Sequence, residues 1–155
     1  SLRHELNIEK APGDLNELVN AVLTGVEHSP NYTLSKELGT VPEVAMDRDQ
    51  MHKVITNLVL NATEALPPGG KVHVSTTEES GWVILAVADT GCGMSPDFLN
   101  HSLFRPFQTT KKNGLGIGMF QSRMIVEAHG GRIAVTSEPG QGTTFRIYLR
   151  ASAPR

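Results

Sequence analysis

The chain has 155 residues, with 14 Lys+Arg against 16 Asp+Glu, a net charge of −2 and a pI near 6.3. That length suits one domain with a real core, and the charge balance excludes a polycation that holds nucleic acid by bulk attraction. The single cysteine, Cys92, allows no internal disulfide and no thiolate zinc site. No apolar run approaches the ~18 residues of a membrane span, and no basic-then-apolar leader opens the chain. The expectation is a soluble, cytoplasmic domain with no nucleic-acid partner and no direct membrane contact.

Residues 1–13 form a lead-in, in which Leu6-Asn7-Ile8-Glu9 reads as an edge strand before Pro12 and Gly13. Asp14 followed by Glu17 has capping-box spacing, and the helix it starts is expected to run to about Glu27, before Pro30. Tyr32 to Leu38 alternates as a strand, and Glu43 to Met46 forms another beyond Pro42. Asp47 caps the next helix. There Met51, Val54, Ile55, Leu58, Val59, Ala62, Ala65 and Leu66 recur at three and four residues and share one apolar stripe, before Pro67-Pro68-Gly69-Gly70 ends it.

Lys71 to Thr77 alternates as a strand, Glu78 to Gly81 turns, and Trp82 to Ala88 is a more continuously apolar strand, hence central in a sheet. Asp89 to Gly118 holds two glycine clusters, a short helix from Pro96 and a polar stretch, Gln108 to Asn113. Long irregular segments inside a domain are usually functional. A helix from Leu115 to His129-Gly130-Gly131 follows, then strands Arg132–Ser137 and Thr143–Arg150 around Pro139-Gly140-Gln141-Gly142, with 151–155 as a disordered tail. Helices and hairpins are segregated, which favours an α+β two-layer sandwich over a doubly wound parallel sheet.

Four stretches carry chemistry. Asn57 and Asn61 border the apolar stripe on one side, with Glu64. An amide oxygen held there suits Mg²⁺, which takes hard oxygen ligands; ordinary exposed asparagines are the alternative. Asp89-Thr90-Gly91-Cys92-Gly93-Met94 puts a carboxylate and two glycines at the end of the central strand, able to accept from an exocyclic amine or simply to turn the chain. Gly114-Leu115-Gly116-Ile117-Gly118 opens a helix, where backbone amides can approach phosphate, or serves as a hinge. It matches neither the dinucleotide fingerprint nor a P-loop. Between them, Phe104-Arg105-Pro106-Phe107 can anchor a flap whose Thr109, Thr110 and Lys111 reach phosphate oxygens. The histidines are scattered; His129 reads as a helix terminator and Trp82 as packing in or beside the sheet.

In order and spacing these stretches resemble the N box, first glycine box, F box and second glycine box of the ATP-binding catalytic domain of bacterial sensor histidine kinases, within the gyrase, chaperone and mismatch-repair ATPase superfamily. Gly142-Thr143-Thr144-Phe145 resembles the closing Gly-Thr strand, and the match covers 14–150. Thr109 to Met119 and Gln121 to Gly131 are also similar to sensor kinases linked to exosortase-type protein sorting. The resemblance implies a Bergerat-type fold, a mixed and mostly antiparallel sheet of about five strands under three helices, with a mobile ATP lid. It implies ATP and Mg²⁺ as cofactors. Asn61 would hold the metal with Asn57 assisting, Asp89 would accept from the adenine amine with Thr143 in support, and Gly91 and Gly93 would let the base and its neighbouring chain come close. Thr109, Thr110, Gly114, Leu115, Gly116 and Gly118 would frame the phosphates, with Lys111 at the γ-phosphate.

Two departures refine the expectation. ATPases of the superfamily carry a Glu, as base for an attacking water, where this chain has Asn57, which cannot take a proton; that favours phosphoryl transfer to histidine over hydrolysis. The acceptor normally sits on a preceding dimerisation hairpin, and His4-Glu5-Leu6 lies too near Asn61 for one to fit. The chain is therefore expected to be a monomeric catalytic domain without its own acceptor. Its partners would be the histidine-bearing hairpin and a response-regulator receiver, with anchoring of the parent in the inner membrane left open. The rival readings are an ATPase that couples lid closure to dimerisation, and a non-catalytic nucleotide-binding module.

Overall fold

A computed structural model describes residues 7–26, 29–105 and 115–152, the side chains of 115–117 excepted. The elements in chain order are β1 (Ala11–Gly13), α1 (Leu15–Gly25), β2 (Tyr32–Leu38), β3 (Val44–Met46), α2 (Arg48–Glu64), β4 (Gly70–Glu79), β5 (Trp82–Asp89), α3 (Pro96–His101), α4 (Leu115–Ala128), β6 (Arg132–Glu138) and β7 (Gly142–Arg150). The main sheet has the order β2-β4-β5-β7-β6, parallel between β2 and β4 and antiparallel elsewhere. The continuously apolar strand, β5, is central, as its composition predicts. The α+β expectation of five strands beneath three long helices holds.

The inward face of the sheet explains the alternation along its strands. Val72 and Val74 of β4, Val83, Leu85 and Val87 of β5, and Phe145, Ile147 and Leu149 of β7 are all buried. They meet Leu15, Leu18, Val19 and Val22 of α1 and Met51, Val54, Ile55, Leu58 and Val59 of α2 in one core. The opposite face carries polar residues and a stack of rings and guanidinium groups. Trp82 meets Tyr148 edge-on with ring centroids 6.3 Å apart, and Arg150 and Arg132 lie over Trp82 and Tyr148 at 4.0 and 3.9 Å. Trp82 thus packs beside the sheet. Ile84, which the register places among these side chains, is only 8% exposed.

The helix starts follow the capping residues. Asp14 accepts from the Glu17 N–H and Asp47 from the Gln50 N–H, each at 3.2 Å. The reciprocal half of the expected capping box at α1 is replaced, because the Glu17 carboxylate is engaged by Arg48 at 3.0 Å. α1 also ends at Gly25, short of the expected Glu27.

Two further expectations are corrected at the chain's ends. The lead-in strand is Ala11–Gly13, paired antiparallel with β3, and Asn7 to Glu9 of the expected strand lie outside it, Leu6 being outside the described residues. Pro12 is tolerated because a two-stranded edge pair does not need every N–H. Within the expected tail, Ala151 and Ser152 are held by backbone bonds, Ala151 N–H to Gly81 O at 3.1 Å and Ser152 N–H to Glu43 O at 2.7 Å.

α2 and α4 lie side by side and antiparallel. Buried His129, just past the end of α4, accepts at Nε2 from the Asp47 N–H at 2.9 Å, while its Nδ1–H donates to Ile125 O at 2.7 Å. The expected helix terminator is therefore also a pin between the end of α4 and the start of α2.

Candidate nucleotide site

One strip of α2 gathers the motifs. Asn57, Asn61 and Ala65 are spaced i, i+4, i+8 and so stack along one face, about 6 Å apart. At Asn57 the strip meets α4, where the amide Nδ2 donates to Ser122 Oγ at 3.3 Å. A Cβ on Gly118 would lie 2.4 Å from Asn57 Oδ1, so the glycine leaves room for the amide in its present position. At Ala65 the strip meets the turn after β5. Ala65 O accepts from the Cys92 N–H at 3.3 Å, and a Cβ on Gly91 would come within 2.6 Å of that oxygen.

Between these two contacts lies Asn61. Its Oδ1 is buried and has no hydrogen-bond partner among the described residues. An unsatisfied buried carbonyl costs about 1–3 kcal/mol, so its retention points to an absent partner. A hard cation that keeps several waters fits a lone amide oxygen. The residues present thus fit Mg²⁺ at this atom, and the described residues contain no cluster of three His, Cys, Asp or Glu that could hold a metal instead.

Asp89 ends β5 on the same side of the molecule. It is 9% exposed, and its Oδ1 accepts from the Gly91 N–H at 2.8 Å, which fixes the carboxylate plane. Thr143 stands opposite it across β5 and β7. The Thr143 hydroxyl is 2.7 Å from Ser137 Oγ, which itself donates to Gly142 O at 3.0 Å. A serine hydroxyl has one proton; since Ser137 gives it to Gly142, Thr143 must donate to Ser137. The lone pairs of Thr143 are then what it offers beside Asp89. An acceptor pair of this kind suits an amine or a water.

Ser137 also accepts from the Met94 N–H at 2.8 Å, and Gly140 N–H donates to Cys92 O at 2.6 Å, so the first glycine turn is stitched to the β6–β7 hairpin. Gly93 has φ +73° and a Cβ there would sit 2.0 Å from Glu138 O. The close neighbour that each of Gly91 and Gly93 admits is therefore protein backbone, the neighbouring chain of the expectation.

The F-box residue Phe104 is half-buried under Arg123 of α4, whose guanidinium lies 5.0 Å from the ring centroid, and Leu103 is buried. Helix α4 begins at Leu115, so Gly116 and Gly118 are helical residues. Thr109, Thr110, Lys111, Gly114, the expected lid and His4 lie outside the described residues. Sequence reasoning missed Ser122 and Ser137. The available signal for Ser122 was a lone hydroxyl in the apolar row Met119, Val126 of α4; Ser137 had none.

The model of the family described as histidine kinase-, DNA gyrase B- and HSP90-like ATPase matches residues 46–153. The sensor histidine kinase ZraS of Escherichia coli K12 is 37% identical over 149 residues, covering 92% of this chain and 31% of that protein. The chain thus spans about a third of that relative's length. The structure of full-length ShkA in complex with AMPPNP superposes with a TM-score of 0.83 at 25% identity, over 96% of this chain and 33% of that one. The nucleotide-free catalytic domain of histidine kinase ThkA superposes at 0.82 and 29% identity, over 92% of this chain and 96% of that one. ThkA in complex with the response regulator TrrA gives 0.80 at 28% identity, over 97% and 45%. None of these bears on the narrower resemblance to protein-sorting kinases. The chain belongs to the histidine kinase-, gyrase B- and HSP90-like ATPase family, within which its fold and sequence match the catalytic domains of sensor histidine kinases.

Proposed function

We propose that this chain is the domain of a sensor histidine kinase that binds Mg²⁺–ATP and delivers the γ-phosphoryl group to a histidine on a separate dimerisation hairpin. The observation that carries the reading is the buried Oδ1 of Asn61, which has no partner among the described residues and is set between Gly118 of α4 and the Gly91 turn, both of which abut α2. The AMPPNP complex of ShkA supports the nucleotide, and the TrrA complex of ThkA supports a response-regulator receiver as the next acceptor.

In this reading Asp89, oriented by Gly91, accepts from the adenine amine, with the Thr143 lone pairs beside it. Asn61 holds the metal, which when bound offsets charge on the phosphate oxygens. Gly114 and Gly116 leave backbone amides open to the phosphates at the start of α4, with Thr109, Thr110 and Lys111 as further donors, while Gly118 makes room for the Asn57 amide. The protein's part is positioning and charge compensation, which is most of what phosphoryl transfer requires. Asn57 has no basic group with which to activate water, which favours an imidazole nucleophile over hydrolysis. Among the described residues no helix is long and apolar enough to cross a membrane, consistent with a domain that works on the cytoplasmic side of an anchored parent.

The test is incubation with γ-labelled ATP, with and without the parent's hairpin supplied in trans. Acid-labile label on the hairpin, none on this chain and only slow release of phosphate are expected. Self-labelling, or brisk hydrolysis that depends on Glu64, contradicts the reading.

A further inference from the structure

We propose that Ser122 is a positioning residue of the nucleotide site, acting through Asn57 to set α4 against Asn61. The inference rests on the Mg²⁺–ATP reading and adds to it a residue in none of the four boxes.

Ser122 is 2% exposed and sits on the row of α4 that includes Met119 and Val126 and leads to His129 just past its end, all buried. A lone hydroxyl on such a row needs a partner, and here the partner is the Asn57 amide at 3.3 Å. Gly118 lies one turn earlier on the same face, with room for no side chain against Asn57 Oδ1. The amide is therefore held at its nitrogen by a hydroxyl, while its oxygen fills the space that a side chain at position 118 would take. This contact falls within the first eight residues of α4, which starts at Leu115. Far along the same helix pair, His129 and Asp47 make the second pin. Two pins fix both the spacing and the rotation of α4 on α2, whereas one alone leaves rotation about itself.

The consequence concerns distance. Asn61 is one turn, about 6 Å, beyond Asn57. The leading turn of α4 and the Asn61 oxygen are the two parts of the described structure that must grip the phosphate end together. Their separation is set by the Asn57–Ser122 contact, and a site that is loose by even an ångström loses much of its effect. The Asp89 side of the crevice is held independently, through Ala65, Ser137 and Gly140. A purely structural serine would loosen both ends alike; a positioning serine affects the phosphate end alone.

The experiment is calorimetric titration of the whole chain with Mg²⁺–AMPPNP and with AMP, in the parent, Ser122→Ala, Asn57→Ala and the double variant. Ser122→Ala is expected to weaken Mg²⁺–AMPPNP about fivefold, the worth of one neutral hydrogen bond, and to leave AMP unchanged. Adding Ser122→Ala to Asn57→Ala is expected to cost nothing more. Amide hydrogen exchange without ligand gives a second readout: faster exchange in the first two turns of α4 in each single variant, with no further increase in the double. Equal weakening of both ligands, no weakening, or losses that add overturns the role of Ser122. A parent that shows no Mg²⁺-dependent preference for AMPPNP over AMP overturns the nucleotide reading itself.

Discussion

Replacing Gly93 by Ala tests how the turn after β5, on the side proposed for adenine, is held. At φ +73° an alanine bears the left-handed penalty of about 1–2 kcal/mol. Its Cβ would also stand 2.0 Å from Glu138 O, a backbone atom of the β6–β7 hairpin that cannot swing aside as a side chain can. Relief requires the turn and the hairpin to separate, at the expense of Gly140 N–H to Cys92 O or Met94 N–H to Ser137 Oγ. One such bond adds about 1 kcal/mol. The total loss is then about 2–3 kcal/mol, and nucleotide binding should weaken with it. Gly81→Ala is the control: its φ is +85° but nothing lies within 4 Å of the added Cβ, so only the conformational penalty applies. Denaturant unfolding of both variants separates strain from collision. Equal losses at the two positions would refute the claim that the turn is locked to the hairpin.

Three other outcomes follow from the same structure. His129 is held neutral chiefly by burial, with the Ile125 carbonyl pulling its pKa back up and the Lys10 charge pushing it down further. Its folded pKa lies below the ordinary imidazole value of about 6.5, and the imidazolium would lose its bond from the Asp47 N–H. Its stabilisation is thus intact above that value and fades as pH falls below it; His129→Gln should flatten this part of the stability–pH profile, and an unchanged slope would count against the pin. Leu58→Ala, at a position with no exposed surface, should cost about 2–5 kcal/mol in unfolding experiments; a loss below 1 would mean α2 is not the spine of the core. Asp89→Asn should reduce the preference for ATP over inosine triphosphate at least tenfold in competition binding, since hydrogen bonds to a charged acceptor are the stronger kind, and an unchanged preference would remove Asp89 from base recognition.

The legible parts of the fold are those where one local rule acts alone. The α2 stripe reads directly because no Gly or Pro interrupts it and every buried position follows the helical period. The central place of β5 reads from its unbroken apolar run. The first strand does not read, because Ala11-Pro12-Gly13 has no strand propensity and pairs only where β3 presents an edge. The lost capping box at α1 depends on Arg48, thirty-one residues away from Glu17. For the site, Asn61 and Asp89 announce themselves through spacing and flanking glycines. The roles of Gly91, Gly93 and Gly118 as points of backbone and helix contact, and those of Ser122 and Ser137, depend on which surfaces α2, α4 and the β6–β7 hairpin turn toward each other. That is tertiary information, carried by no motif.

The central claim is that one crevice reads the purine at Asp89 and orients the phosphates through a cation on Asn61. Calorimetric titration of the whole chain with AMPPNP, in the presence and absence of Mg²⁺, tests it most directly when Asn61→Ala is run alongside. The account predicts one site per chain whose affinity rises with Mg²⁺ in the parent and is indifferent to Mg²⁺ in Asn61→Ala. Equal gains from Mg²⁺ in the two proteins, or no gain in either, would contradict it.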